Sequence, residues 1–343
     1  GSFIIVSILF IFLGYAVNEL PLENALSLII VEAFFYIIPG IATALLINVG
    51  EKNSLSFFAI CLFCGYILNI VIYFIVQGLR IKEYILPVYV LVTICSLIII
   101  YCKRRIIYSL CTEIVDYNIC IVFFIGVLTV SFVCYCCNNL IPNGSVEANT
   151  YYNDNLYWIG NTIELEMNFP PVDFRVCTRE FHYHYFSNIQ LAVIGLLSRV
   201  PAIEIGFVYS WVQIDLMLVL GTYCFLNKIL KKWYLVLTGM FILLFTAGFE
   251  NDVIIGVVQY LYYARFGYDV AFAFSLFCMY LMYIQLSKKF DIKIFLLTLL
   301  AFICLLGSKS ATGAIVLCGM GMICLYWLFI ERDLKKSFGY GIW

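Results

Sequence analysis

The residues best suited to chemistry lie in one polar stretch near the middle of the chain. From Tyr151 to Phe186 it reads YYNDNLYWIGNTIELEMNFPPVDFRVCTREFHYHYF, and it contains His182 and His184, the only 2 histidines among 343 residues. An ionised carboxylate such as that of Asp154 can accept a proton from a substrate hydroxyl or bind a metal ion. We therefore expect any reaction to take place in this stretch, among aromatic, acidic and histidine side chains.

The segment that follows Asp154 has the pattern of an amphipathic helix. On a helix, one face carries Asp154, Trp158, Asn161 and Leu165. Asn153 or Asp154 suits the N-cap position, and the Pro-Pro pair after the segment ends the helix. A carboxylate at a helix N-terminus stays ionised. The pattern predicts a helix that lies on the membrane surface with an acid at its start; the alternative is a solvated acidic loop capped by an aspartate.

Histidine, arginine and lysine residues supply further candidate groups. His182 and His184 lie on the same face only if their segment is extended, and a metal site that uses both requires this. The alternative is that both lie in the membrane headgroup region. Arg175, Arg265 and Lys309 could bind a departing phosphate. For Arg265 the alternative is an ion pair or cation–π contact within its loop. Lys309 lies in a Gly-Ser-Lys-Ser turn between two apolar runs, where a lysine is either functional or simply solvated.

The elements that position these groups are predicted to be transmembrane helices. Hydrophobic residues make up 64% of the chain, charged residues 12%, and the mean hydropathy is +1.01. One core could not hide that much apolar surface, so lipid must be the solvent for much of it. We expect an all-α bundle of about ten spans. The apolar windows lie near residues 3–17, 24–48, 54–78, 84–102, 117–138, 205–227, 232–248, 268–286, 293–306 and 310–330.

Clusters of Lys and Arg set the predicted orientation, because these residues concentrate in cytoplasmic loops. The clusters lie at 103–105, 228–232, 288–293 and 332–336. With all of them in the cytoplasm, the loop at 139–182 is outside, and only one crossing separates it from the cluster at 228–232. The stretch near 183–199 is then an interfacial or re-entrant helix rather than a span. We expect a multi-pass plasma-membrane protein whose large loop is extracytoplasmic.

The polar stretch resembles a family. An Asp in a Tyr/Trp-rich segment, then Phe-Pro-Pro, then an Arg, then Tyr-His-Tyr opening a helix, is similar to bacterial polytopic membrane glycosyltransferases of the C superfamily. The resemblance covers about residues 117–343. It implies a sugar donor carried on a polyprenyl phosphate, with Asp154 as the catalytic base and His184 as a second catalytic residue. The match of Arg175 is looser.

The resemblance also divides the chain and implies a substrate site. Residues 1–116 are expected to be N-terminal transmembrane helices, and 117–343 a glycosyltransferase-like core with an outer catalytic loop at 139–204. The expected partners are the lipid-linked donor and membrane lipid, not nucleic acid. The paired acids that many members carry are absent, so no metal ligand is predicted and a divalent cation stays an open expectation. The expected substrate-binding residues are Trp158, Arg175, His182, Tyr183, Arg265 and Lys309.

Two other function classes remain as alternatives. A transporter or flippase of lipid-linked saccharides is favoured by the acids Glu32 and Asp215 inside apolar runs and by an expected kink at Pro39-Gly40. A polysaccharide polymerase or ligase also has a large outer loop, although one richer in Arg than this net acidic loop. The 15 cysteines are expected to pack as small hydrophobic residues. The first and last residues suggest a piece of a longer protein.

Overall fold

The computed structural model describes residues 2–50, 53–112, 153–173, 179, 184–230, 232–245, 249–250, 253–254, 266–287, 291–330 and 332. These residues form helices, apart from connecting segments and one short antiparallel pair, β1 Phe249–Glu250 and β2 Val253–Ile254. The predicted all-α membrane bundle is confirmed. In chain order the helices are α1 Ser2–Val17, α2 Leu22–Ile47, α3 Ser54–Gly78, α4 Ile85–Cys102, α5 Arg104–Thr112, α6 Asn153–Met167, α7 Phe186–Ser198, α8 Ala202–Ile229, α9 Trp233–Phe245, α10 Phe266–Ser287, α11 Ile292–Ser308 and α12 Ser310–Phe329.

Five helices in the described part of the chain are long and apolar enough to cross a membrane. They span Leu22–Ile47, Ser54–Gly78, Lys82–Cys102, Ala202–Ile229 and Gly267–Leu286. Helices α1, α9, α11 and α12 coincide with four further predicted windows. The predicted span at 117–138, and with it the predicted boundary at 116, lies outside the described residues. The chain is therefore a membrane protein with several transmembrane helices.

Helices α3, α8 and α10 form the centre of the bundle. Their apolar windows are 78%, 83% and 78% buried, against 22% for the window that contains α4. Phe63 of α3 stacks on Phe277 of α10 with ring centroids 4.2 Å apart, and a Cβ added at Gly221 of α8 would lie 3.3 Å from the Phe63 ring. The helices predicted as a separate N-terminal part therefore pack directly against the later ones.

Helix α2 contains a π-helical turn, Glu32–Ile37, just before Pro39. The sequence predicts a kink at Pro39-Gly40, and the structure places this irregular turn immediately before that pair. Because proline has no backbone N–H, one carbonyl of the preceding turn loses its helical donor. The hydroxyl of Thr93 on α4 donates to the carbonyl oxygen of Phe34 at 2.8 Å and replaces that donor. A side chain from the neighbouring helix thus completes the irregular turn.

Hydrogen bonds between helices show which helix ends lie together. Asn53 at the start of α3 donates its side-chain amide to the Tyr223 hydroxyl near the end of α8, at 3.1 Å. Lys293 at the start of α11 donates to the Leu46 carbonyl near the end of α2, also at 3.1 Å. We call this the basic end. Short turns connect α3 to α4 and α11 to α12, so α4 and α12 return to this end of the bundle. The basic end therefore carries Lys103, Arg104, Arg105, Lys228, Lys232, Lys293 and Arg332.

The opposite end, the loop end, carries α6 and the turn between α11 and α12. Tyr73 near the end of α3 donates to the Leu165 carbonyl of α6 at 2.8 Å, and Lys82 donates to the Met167 carbonyl at 3.1 Å. The described members of the basic clusters therefore lie at one end and the described part of the polar stretch at the other, which agrees with the predicted topology.

Helix α7 is buried inside the bundle. Its 13 residues rise about 20 Å, less than the roughly 30 Å of a bilayer core, so it is not a full span. Ser187 and Asn188 are 0% exposed, so other helices cover α7 on its polar side as well. The Phe186 ring lies 5.2 Å from that of Phe74, and the Ser198 carbonyl accepts from Ser27, so both ends of α7 lie near the loop end. The choice between an interfacial and a re-entrant helix stays a prediction.

Candidate functional site

Helix α6 positions the first group of predicted site residues. It begins at Asn153 and ends at Met167, before the Pro-Pro pair, as predicted. Trp158, Asn161 and Leu165 of the predicted face are buried, at 9%, 2% and 0% exposed. This face packs on α7, where the Asn188 amide donates to the Trp158 carbonyl at 2.8 Å. Asp154 lies in the first turn, one turn before Trp158 on the same face.

Four side chains from separate segments meet beneath α6, and we call them the loop-end cluster: Trp158, His184, Tyr268 and Lys309. The rings of Trp158 and His184 lie 6.0 Å apart. The Lys309 ammonium lies over the Tyr268 ring, 4.1 Å from its centroid. A Cβ added at Gly267 would lie 3.3 Å from the Trp158 ring, so Trp158 reaches the start of α10. Three residues predicted to bind or transform substrate, Trp158, His184 and Lys309, are therefore brought together.

His184 is electrically neutral at neutral pH in this environment. Burial, and secondly the positive charge of Lys309, lower the pKa of His184 from 6.5 to about 4. A neutral imidazole can donate one hydrogen bond and accept another, and it can take up a proton. The positive charge of the cluster is on Lys309, and it can interact with a phosphate. The imidazole of His184 can form hydrogen bonds with hydroxyl groups.

Glu166 is a buried acid that the sequence reasoning did not single out. Burial raises the pKa of Glu166 from 4.5 to about 7, although the charge of Lys82 lowers it in part. Its carboxylate packs against the backbone of α7 at Gly195, and within the described residues Oε1 has no hydrogen-bond partner. Glu164, by contrast, accepts from Asn168 and from the Val172 backbone, and closes the turn after α6.

A signal for Glu166 was present in the sequence. Eight positions separate it from Trp158, and an apolar helix face extends to such positions as well as to i+4 and i+7. The predicted face ended at Leu165, one residue before Glu166. A charged residue on the edge of a buried face would have marked it as a group in an unusual environment.

Four predicted site residues lie outside the described residues: Arg175, His182, Tyr183 and Arg265. The same holds for the Asp154 side chain, whose helix backbone alone is described. The described residues contain no group of three His, Cys, Asp or Glu side chains that could hold a metal ion. The placement of these predicted residues relative to the loop-end cluster stays a prediction.

A second polar feature lies inside the transmembrane part. Glu32 and Asp215, the acids inside apolar runs, are 9% and 1% exposed, so both face the bundle interior. The Tyr209 hydroxyl donates to the Glu32 carboxylate. Glu32 begins the π-helical turn of α2, and Tyr209 ends a second π-helical turn, Ile205–Tyr209, in α8. Such turns are frequent at functional sites.

Comparison with protein-family models, curated proteins and solved structures finds no match to this chain. Its function must therefore be inferred from its own residues and their geometry.

Proposed function

We propose that this protein is an integral membrane glycosyltransferase that moves a sugar from a polyprenyl-phosphate donor to an extracytoplasmic acceptor. The observation that carries the proposal is the loop-end cluster, in which Trp158, His184 and Lys309 lie together next to the helix whose first turn contains Asp154. The cluster combines an aromatic surface, a neutral imidazole and a fixed cation. This set suits a sugar, its hydroxyl groups and a phosphate respectively.

In the proposed reaction, the Asp154 carboxylate and the Lys309 ammonium each have one task. The Asp154 carboxylate accepts the proton of the acceptor hydroxyl, whose oxygen forms a bond to the anomeric carbon of the sugar. The bond from that carbon to the phosphate oxygen breaks, and the polyprenyl phosphate leaves with the electron pair. The ammonium of Lys309 stabilises the charge on the departing phosphate. Attack opposite the leaving group inverts the anomeric configuration.

The location follows from the distribution of charge. Seven Lys and Arg residues of the described part lie at the basic end, opposite the loop-end cluster, and fewer lie at the loop end, among them Lys82 and Lys309. Because Lys and Arg concentrate on the cytoplasmic side, the loop end is assigned to the extracytoplasmic side of the plasma membrane. A donor whose polyprenyl chain lies in the membrane then presents its sugar at the level of α6. On the outer face of α6, the apolar side chains of Leu156 and Ile163 are each 42% exposed.

Substitution of the proposed base tests the assignment directly. Asp154→Asn is expected to abolish sugar transfer, because the amide cannot take the acceptor proton, while expression and thermal stability stay unchanged. Transfer is measured with purified protein in detergent and a polyprenyl-phosphate sugar. Glu83→Gln, an exposed acid at the same end, serves as the matched control and should retain activity. Full transfer by Asp154→Asn would refute the proposal.

A transporter or flippase of lipid-linked saccharides is the second candidate, and the Glu32–Tyr209 hydrogen bond favours it. A buried acid in a span usually belongs to a pathway for ions or substrate. Glu32→Gln keeps the shape and removes the charge. A transporter that depends on this acid loses transport in proteoliposomes, whereas the glycosyltransferase keeps its transfer activity in detergent.

A further inference from the structure

An apolar groove runs along the bundle between α2, α3 and α11. The cavity measures about 520 Å³. Aliphatic side chains form most of its walls, among them Leu46, Ile67, Val71, Leu296 and Leu300. Leu46 and Leu296 are 49% and 50% exposed, so the groove opens on the side that faces lipid. Its volume falls within the range of roughly 300–1,000 Å³ of pockets that hold small ligands. A hydrocarbon chain can therefore enter it.

The mouth of the groove lies next to the basic end, and on α3 the groove is lined by the middle of the helix, from Cys64 to Val71. Lys293, in the first turn of α11, lines its mouth, and Leu300 lies on the same helix about 10 Å deeper at 1.5 Å per residue. One leaflet contributes about 15 Å of hydrocarbon, half the thickness of the bilayer core. The walls of the groove thus follow the path of an acyl chain from the interface towards the bilayer centre.

A cation is fixed at the mouth of the groove. The Lys293 ammonium donates to the Leu46 carbonyl at 3.1 Å, which holds it between α11 and α2. An ammonium has three hydrogens, so it can bind a phosphate oxygen and keep this bond. None of the described residues that line the groove is acidic. The neighbouring Asp291 carboxylate accepts from the Lys293 backbone N–H at 2.9 Å and so caps α11.

We propose that this groove binds an anionic phospholipid of the leaflet at the basic end, with an acyl chain between α2, α3 and α11 and the phosphate on Lys293. The apolar walls match the chain, and among the described lining residues a cation without an acid matches a headgroup with net negative charge. The mouth of the groove lies at the basic end, opposite the loop-end cluster. Its lipid is therefore separate from the proposed sugar donor, and the proposal does not depend on the glycosyltransferase assignment.

Lipid binding to the purified full chain in detergent tests this proposal. Phosphatidylglycerol and phosphatidylcholine with the same acyl chains are titrated, and bound lipid is counted by native mass spectrometry alongside the midpoint of thermal unfolding. We expect phosphatidylglycerol to bind more tightly and to raise the midpoint more. Lys293→Gln is expected to weaken phosphatidylglycerol binding about fivefold, the effect of one lysine near a lipid headgroup.

Two further variants separate this groove from unspecific effects. Leu296→Trp puts a large ring in the groove from an exposed position, and it should reduce binding of both lipids without lowering the stability of the lipid-free protein. Lys103→Gln removes an exposed cation at the same end, away from the groove, and should leave binding unchanged.

Three results would overturn the proposal. These are equal affinity for the two lipids, an equal loss of binding in Lys103→Gln and Lys293→Gln, and unchanged binding in Leu296→Trp. Any of them would mean that lipid covers the protein surface without a defined site.

Discussion

At the scale of single residues, burial moves the pKa values of His184 and Glu166 in opposite directions. The pKa of His184 falls from 6.5 to about 4, so its contribution to stability is present above pH 6.5 and is lost as the pH falls through about 4. The pKa of Glu166 rises from 4.5 to about 7, so its contribution is present below pH 4.5 and is lost as the pH rises through about 7. The two effects oppose each other over nearly the same range.

Single substitutions should reveal the two opposed effects. In His184→Gln only the Glu166 contribution remains, and the midpoint of thermal unfolding, relative to wild type, should rise on acidification from pH 7 to pH 4.5. In Glu166→Gln the relative midpoint should fall over the same range. The measurement is a thermal unfolding series in detergent at constant ionic strength. Profiles parallel to that of the wild type would show that neither group changes its proton affinity on folding.

Lys309 allows a direct test of the phosphate-binding role. Lys309→Gln removes the charge above Tyr268 and is expected to lower kcat for sugar transfer by about 10²–10³, the usual effect of losing one group that stabilises developing charge. Lys82→Gln, a cation at the same end that bonds to the Met167 carbonyl, is the control and should change kcat little. An equal loss in the two variants would point to a general effect of charge at the loop end.

At the scale of helices, α2 and α3 approach each other through their backbones. A Cβ added at Gly40 would collide with the carbonyl oxygen of Cys61, and one added at Gly65 with that of Tyr36. Small residues allow such close contacts between membrane helices. The Tyr36 hydroxyl also donates to the Leu62 carbonyl at 2.8 Å, which ties the π-helical turn of α2 to α3. The irregular helix is thus supported along its length by its neighbour.

Filling this contact should destabilise the bundle. Gly40→Ala is expected to lower the free energy of unfolding by about 1–3 kcal/mol, because the obstructing atom is backbone and the helices must separate. Gly319→Ala in α12 is the control, since nothing lies within 4 Å of the added Cβ. It should be neutral or slightly stabilising, as alanine favours the helix. Both are measured by denaturant unfolding in mixed micelles, and equal effects would contradict the close contact.

At the scale of the whole molecule, two chemically different ends result from the order of the helices. The basic end gathers residues from four separate clusters, and the loop end gathers Trp158, His184, Tyr268 and Lys309. The proposed donor site and the mouth of the proposed phospholipid site lie at opposite ends. Under these two proposals, the chain presents a sugar on one side of the membrane and binds lipid charge on the other.

Lysine labelling distinguishes the two ends. In intact cells a membrane-impermeant amine reagent is expected to modify Lys82 and Lys309, whereas Lys103, Lys228 and Lys293 should react only after permeabilisation. Peptide mass spectrometry reads out each site, and a permeant reagent controls for burial. Labelling of Lys228 in intact cells would reverse the assignment of the loop end to the extracytoplasmic side.

The sequence by itself determined the helical membrane bundle, the bounds of α6 and the interior position of Glu32 and Asp215. These depend on runs of apolar residues, on local breakers and on the cost of a charge in lipid, which are readable along the chain. The placement of the basic clusters also indicated that the stretch near 183–199 is not a full span. The sequence did not show that Ser187 and Asn188 are buried, because a polar residue that bonds inside a bundle looks in sequence like one that faces water.

Only the tertiary structure decided which of the candidate residues meet. Trp158, His184 and Lys309 lie on three separate segments of the chain. They come together because α6, the start of α7, the start of α10 and the end of α11 lie at the same end of the bundle. The groove behind Lys293 arises in the same way, from packing between helices that no local pattern encodes. For Glu166 the helix pattern gives its place at the edge of the buried face, but only the packing on α7 buries its carboxylate. Hydropathy is a property of each segment, whereas a site is a property of the distances between segments, and folding alone sets those distances.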